Sequence, residues 1–235
     1  MKKLMIVSLM SLCIAVIGNA QDTATNFAPL SSFNAGGTPI AIPPPTTEMT
    51  EVGYDNRERL EVFVPSANRL IAGFMLTTEI DRLTKGDPLM SKYAMVEVPR
   101  RLEYMDCGPN EFQEVKSGIK AGSGDKMINS TMKKAERELN RRIASLDIND
   151  ATLSFGKLIQ LGSLFSKQDS YGFGMVMPVA MGGQKKKMVV SATAMRIKQR
   201  LLFLYLCAEY KNEETIKWIW KVSEDWADAI LNANK

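Results

Sequence analysis

Few residues of this chain are equipped for chemistry, and no histidine is present among its 235 residues. That absence removes Ser-His-Asp and Cys-His nucleophile activation and every metal site that needs an imidazole. The best nucleophile candidate is Cys107, within Asp106-Cys107-Gly108-Pro109. It stands just before a predicted helix start, where the dipole lowers a thiolate pKa. Asp106 acts in the opposite sense, and no imidazole is there to take the proton. Met175, Met177 and Met181 raise Cu(I) binding, since thioethers are soft ligands. Met175 and Met177 are two apart on a strand, however, and so share a face as core residues do. The acids of Glu213-Glu214 and of Glu224-Asp225 diverge by about 100° on a helix, so neither pair converges on one substrate atom. Gly172-Phe173-Gly174 lacks the third glycine of a dinucleotide loop and sits inside a predicted strand, where glycines mark a bulge or a close approach. The sequence contains no phosphate-binding loop and no G-x-S-x-G elbow. We expect no catalytic, cofactor or metal site.

The anion-site candidates are Arg69, Arg100 and Arg101; Arg141-Arg142 and Lys185-Lys186-Lys187 complete the basic inventory. Aromatic residues are not interleaved with these charges, which argues against a nucleic-acid platform. The simpler reading puts Arg141-Arg142 on a solvated helix face. It puts the three lysines at a hairpin tip, where they deter edge pairing.

Where such residues work is set first by the leader. Lys2-Lys3, the apolar stretch Leu4–Ile17 and Gly18-Asn19-Ala20 before Gln21 have the three parts of a secretory signal over residues 1–20. The run is short of the roughly 20 residues that cross a bilayer, so cleavage is expected rather than an anchor. A lipoprotein reading through Cys13 is disfavoured because Leu12 stands where a small residue belongs. Without the leader, 28 basic residues face 26 acidic ones, so net charge is weak support for any anionic partner. A periplasmic or secreted location is expected, with no transmembrane segment after signal removal. In that oxidising setting Cys107 and Cys207 can close a loop of about 100 residues, worth roughly 4.7 kcal/mol in the chain-entropy model. The alternative is two separate thiols.

Residues 21–47 carry Gly36-Gly37, Pro39 and Pro43-Pro44-Pro45 with almost no charge, which reads as a flexible tether. One domain is expected over 48–235, since 45% apolar and 24% charged residues is a globular balance. Asn56–Phe63 is a short helix candidate. Arg69–Leu76 is an apolar strand, followed by a turn capped by Thr77 or Thr78 and stopped at Gly86-Asp87-Pro88. Lys92–Val98 is the next strand, and Pro109 is well placed as a first helical residue. After Gly122 and Gly124, Ile128, Met132, Ala135, Leu139, Ile143 and Leu146 mark one face of a second helix. Lys133, Lys134, Glu136, Arg137, Glu138 and Arg141 then occupy its solvated side.

Phe155–Leu161, Tyr171–Ala180, Lys187–Lys198 and Leu201–Tyr210 are predicted strands, with a hairpin at Gly182-Gly183-Gln184. The last strand is apolar on both faces and therefore central. Asn212 caps a final helix whose face runs Ile216, Ile219, Trp220, Ser223, Trp226, Ala227, Ile230. The expected core anchors are Phe203, Tyr205, Trp220 and Trp226. The fold class expected is α+β: an antiparallel sheet of about five to six strands against a long C-terminal helix and additional helices.

The order Leu201-Leu202-Phe203-Leu204-Tyr205, then Glu209 to Glu214, then a helix carrying Trp218 through Trp226, resembles the layout of PsbP/MOG1-like α+β domains. The segment around Arg69–Leu76 also resembles uncharacterised exported bacterial proteins. The resemblance implies a shape and transfers no functional residue. The function expected is an exported, soluble, non-catalytic binding domain of the bacterial envelope. Its ligand would be another envelope protein or an apolar small molecule. The alternative is a small envelope hydrolase working through carboxylates, Lys or Tyr.

Overall fold

The computed structural model describes residues 31–53, 57, 60–61, 64–80, 90–122, 125–144, 152–181 and 183–235. The expected signal over residues 1–20, most of Asn56–Phe63, the expected Gly86-Asp87-Pro88 stop and Gly182 lie outside them.

The strands are β1 (Ser32–Ala35), β2 (Thr38–Ala41), β3 (Met49–Glu51), β4 (Asn68–Leu76), β5 (Lys92–Pro99), β6 (Leu153–Phe155), β7 (Ile159–Ser166), β8 (Ser170–Met181), β9 (Gln184–Ile197) and β10 (Arg200–Glu209). The helices are α1 (Thr77–Ile80), α2 (Pro109–Gly122), α3 (Asp125–Ala144) and α4 (Glu213–Ala233). Eight strands make one antiparallel sheet in the order β3-β4-β5-β10-β9-β8-β6, with β7 also on β8. β10 is central, as its double-faced apolar sequence requires.

Five to six strands were expected, and two features explain the larger number. β3 is three residues long, too short to show a period. The segment expected as one strand over Phe155–Leu161 is split into β6 and β7 opposite Pro178. Pro178 lies between the register of β6 on Val179–Met181 and that of β7 on Tyr171–Val176. Lacking an N–H, it cannot carry an edge ladder through that point, and Gly156 passes over its ring.

Alternation along the strands divides the sheet into two buried faces. Leu201, Phe203, Tyr205 and Cys207 of β10 join Tyr93, Met95, Phe173 and Met175 beneath α2 and α3, which contribute Phe112, Ile119, Met132, Leu139 and Ile143. Leu202, Leu204 and Leu206 face the other way, with Val96, Val189 and Met195, toward Ile219, Trp226 and Ile230 of α4. The molecule is therefore a sheet with helices on both sides.

The seating of α4 follows from small residues. Gly174, Ser191 and Leu206 form one cross-strand row on its side, and Gly172, Thr193 and Leu204 the next. The two glycines are filled from β7: a Cβ at Gly172 would stand 2.4 Å from the Phe165 ring, and one at Gly174 would stand 2.8 Å from Leu164. They are close-approach glycines. Asn212 caps α4, its side chain accepting from the Glu214 amide at 3.0 Å. Trp226 is fully buried, edge-on to Phe74 at 5.9 Å.

Trp220 corrects an expectation. It is 46% exposed, because it lies about 100° around the helix from buried Ile219. Phe203, Tyr205 and Trp226 are core residues as expected.

Residues 31–47 correct another. They belong to the folded body, not to a linker. β1 and β2 form a hairpin that inserts Phe33, Ile40 and Ile42 into the core on the α4 side. Trp226 Nε1 donates to Pro43 O at 2.7 Å. The Asn234 amide brackets Ala41, accepting from its N at 2.9 Å and donating to its O at 2.7 Å. Composition suggested an extended segment, but three buried apolar side chains and these polar clamps offset its ordering entropy.

Candidate interaction surface

At one end of the sheet, three connections meet. β5 runs antiparallel to β10, so the chain leaving Pro99 emerges beside the β9–β10 turn; the register pairs Glu97 with Phe203. That turn has Lys198 at φ 43° and Gln199 at φ 61°, the two positive values of a type I′ hairpin. Its Gln199 carbonyl accepts from Cys107 N at 2.8 Å. The β1–β2 turn, Gly36-Gly37, closes the third side.

Between Pro99 and Pro109 the chain makes consecutive tight turns: Leu102 N donates to Pro99 O, and Met105 N to Leu102 O. The resulting loop is pinned by two ion pairs. Glu103 is buried and accepts from Arg69 Nε and Nη2 and from Gly36 N. The Arg69 hydrogen bond holds the Glu103 carboxyl below its ordinary value; burial opposes this, and the Arg69 charge, the Gly36 amide and the Arg100 charge reinforce it. Arg69 also donates to Asn34 O at 2.8 Å. Asp106 pairs with Arg200 at 2.6 Å, whose Nε donates to Thr38 Oγ1.

Gly36 has φ +56°, and a Cβ there would fall 1.8 Å from Glu103 O. Only glycine allows this contact.

What the pinned loop presents is Arg101, exposed, then Tyr104 at 77% and Met105 at 54% exposure. Among the described residues four large apolar side chains are strongly exposed. Two of them are neighbours here.

The anion site expected from Arg69, Arg100 and Arg101 is not assembled as a set. Arg69 is committed to Glu103. Arg100 donates to Asn68 O at 2.9 Å and pairs with Glu61. Arg101 remains exposed.

Cys107 and Cys207 are both buried and stand as separate thiols. Burial pushes the Cys107 thiol up; Arg196 pulls it down, and Glu111 and Asp169 raise it further. A thiol held protonated is a poor nucleophile. Lys116 is also buried, and burial, then the Lys120 charge, push its pKa down, with Asp169 opposing. Its Nζ donates to Lys167 O, which ties α2 to the β7–β8 connection. Lys167 in turn pairs with Glu224 and Asp228 of α4, so Glu224 ties α4 to that connection, while Asp225 pairs with Lys221 on the exposed side of the helix. Met175, Met177 and Met181 are core residues. Among the described residues no group of three or more Cys, Asp and Glu could hold a metal ion.

Sequence reading found the arginines here but missed Glu103, Gly36 and the exposed pair Tyr104-Met105. Gly36-Gly37 was read as part of a tether, and nothing local tied it to a carboxylate 67 positions away. No protein family, curated protein or solved structure matches the chain.

Proposed function

We propose that this chain is an exported, non-catalytic binding domain that engages a protein partner through the Arg101–Met105 loop. One observation carries the reading: an aromatic ring and a thioether are held in water on a loop locked at both ends. Leaving such groups exposed is unfavourable in isolation. Arg, Tyr and Met are enriched at protein interfaces, and Arg and Tyr where those interfaces concentrate their binding energy. Preorganisation by the Arg69–Glu103 and Arg200–Asp106 pairs reduces the entropy lost on docking. A convex loop suits a protein surface better than an apolar small molecule, which needs a concavity. The leader over residues 1–20 supports the envelope as the compartment.

The test is site-specific photo-crosslinking in the native cell, with the reactive group at Tyr104 and, as a control, at Trp220. The expected result is a discrete adduct at position 104 that disappears in Met105→Ser and Arg101→Ser chains of unchanged thermal midpoint. Identical adducts at both positions would overturn the reading. Export is tested separately: the mature protein should begin at Gln21, and retention of Met1–Ala20 in a cytoplasmic fraction would refute it.

A further inference from the structure

We infer that the outer face of α3 docks this domain onto an anionic lipid surface. The sequence mixes both signs along this helix, but the fold separates them. Glu136 turns inward and accepts from Phe155 N at 2.8 Å. Glu138 accepts from Ser66 N at 2.8 Å. Arg142 also turns inward, donating to Val64 O and Glu61 O. Among the described side chains of the helix Lys133, Lys134, Arg137 and Arg141 remain, and all four are exposed.

At about 100° per residue these four fall within an arc of about 100°, shared with exposed Ser130 and Ala144 and with no acid. Lys133, Arg137 and Arg141 make a straight row about 12 Å long. The Nε atoms of Arg137 and Arg141 bond back to Lys133 O and Arg137 O at 3.2 and 3.4 Å, which fixes each guanidinium stem along the row.

Three features select the occupant. The arc contains no acid, so its complement is a surface of one negative sign. It also contains no aromatic or large apolar residue, so it lacks the stacking groups of a single-strand nucleic-acid platform and cannot insert into the acyl region. A convex, purely cationic strip matches a plane of lipid phosphates, where each Lys or Arg raises partitioning about fivefold. Because the mature chain is nearly neutral, attraction depends on this local strip and not on net charge.

The experiment is sedimentation of the chain beginning at Gln21 with vesicles of phosphatidylglycerol and phosphatidylcholine, against vesicles of phosphatidylcholine alone. The comparison chain is K133Q/K134Q/R137Q/R141Q with the same start, so the basic and apolar residues of 1–20 contribute to neither. The wild-type chain should prefer the anionic vesicles, and raising salt from about 0.1 M to about 1 M should abolish the preference as the screening length falls from about 10 Å to about 3 Å. The quadruple variant should lose that preference by roughly 600-fold, about fivefold for each charge removed, and Arg137→Gln alone by about fivefold. Far-UV circular dichroism and thermal midpoint should match the wild type, since among the described residues the hydrogen-bond partners of these four lie on the helix itself. Equal binding to neutral vesicles, or retention of the anionic preference in the quadruple variant, overturns the proposal. So does tighter binding to a short DNA duplex than to the anionic vesicles, which would move the face to a nucleic-acid role.

Discussion

On one face of the sheet, α4 lies over rows that narrow to Gly174, Ser191, Gly172 and Thr193; on the other, α2 and α3 meet Phe173, Met175, Tyr205 and Phe203. The α2/α3 side is closed by helices that follow β5 directly in the chain. The α4 side is completed by a hairpin from the opposite end of the sequence. Its clamps are polar and specific: Asn234 on Ala41, Trp226 on Pro43, Glu103 on Gly36. One face is thus closed by two helices and large side chains. The other also needs contacts between positions up to 193 residues apart.

The largest effect expected from this contrast is at Trp226. Trp226→Ala removes a buried ring and should cost about 3–5 kcal/mol by chemical denaturation. Trp220→Ala, on the exposed side of the same helix, should stay within about 0.5 kcal/mol. Equal costs would break the assignment of faces. Combining Trp226→Ala with Phe112→Ala sharpens it: the two rings lie on opposite faces, so their costs should add within about 0.5 kcal/mol.

Next is the glycine pair of the β1–β2 turn. Gly36→Ala meets the Glu103 carbonyl and should cost about 2 kcal/mol or more, through strain and contact together. Gly37→Ala has a similar positive φ of 82° but nothing within 4 Å, so it should cost only the backbone strain, about 1 kcal/mol. A reversed order would mean the turn is not seated on the loop.

The smallest effect is acid sensitivity. The Glu103 pKa is lowered in the folded state, so its stabilisation is present above the ordinary glutamate value of 4.5 and is lost as pH falls below it. Amide exchange in β1 and β2 should therefore accelerate below that value before exchange in α2 does. Glu103→Gln should remove the difference between the two regions. Parallel acceleration in both would show that the hairpin is not a separate opening unit.

Legibility in the sequence divides along the same line. The start of α2 at Pro109, the central place of β10 and the Asn212 cap were readable, because each depends on neighbours within a few positions. The break opposite Pro178 was not, since it needs the strand on which Phe155–Leu161 would lie. At the candidate surface, Arg69, Arg100 and Arg101 were visible as charges, but their partners were not. Glu103 is one acid among many until β4 and the β1–β2 turn converge on it. Tyr104 and Met105 are ordinary core residue types that the loop turns outward.

By itself the sequence determined the alternation of strand faces, the helix limits and the exclusion of histidine chemistry, all set by residue type and local spacing. Only the tertiary structure decided that residues 31–47 belong to the core, that Trp226 is buried while Trp220 is not, and that Glu136 and Glu138 of α3 turn toward the body while Lys133, Lys134, Arg137 and Arg141 stay exposed. Those outcomes depend on which distant backbone amide or apolar surface lies opposite a side chain, and no local pattern carries that information.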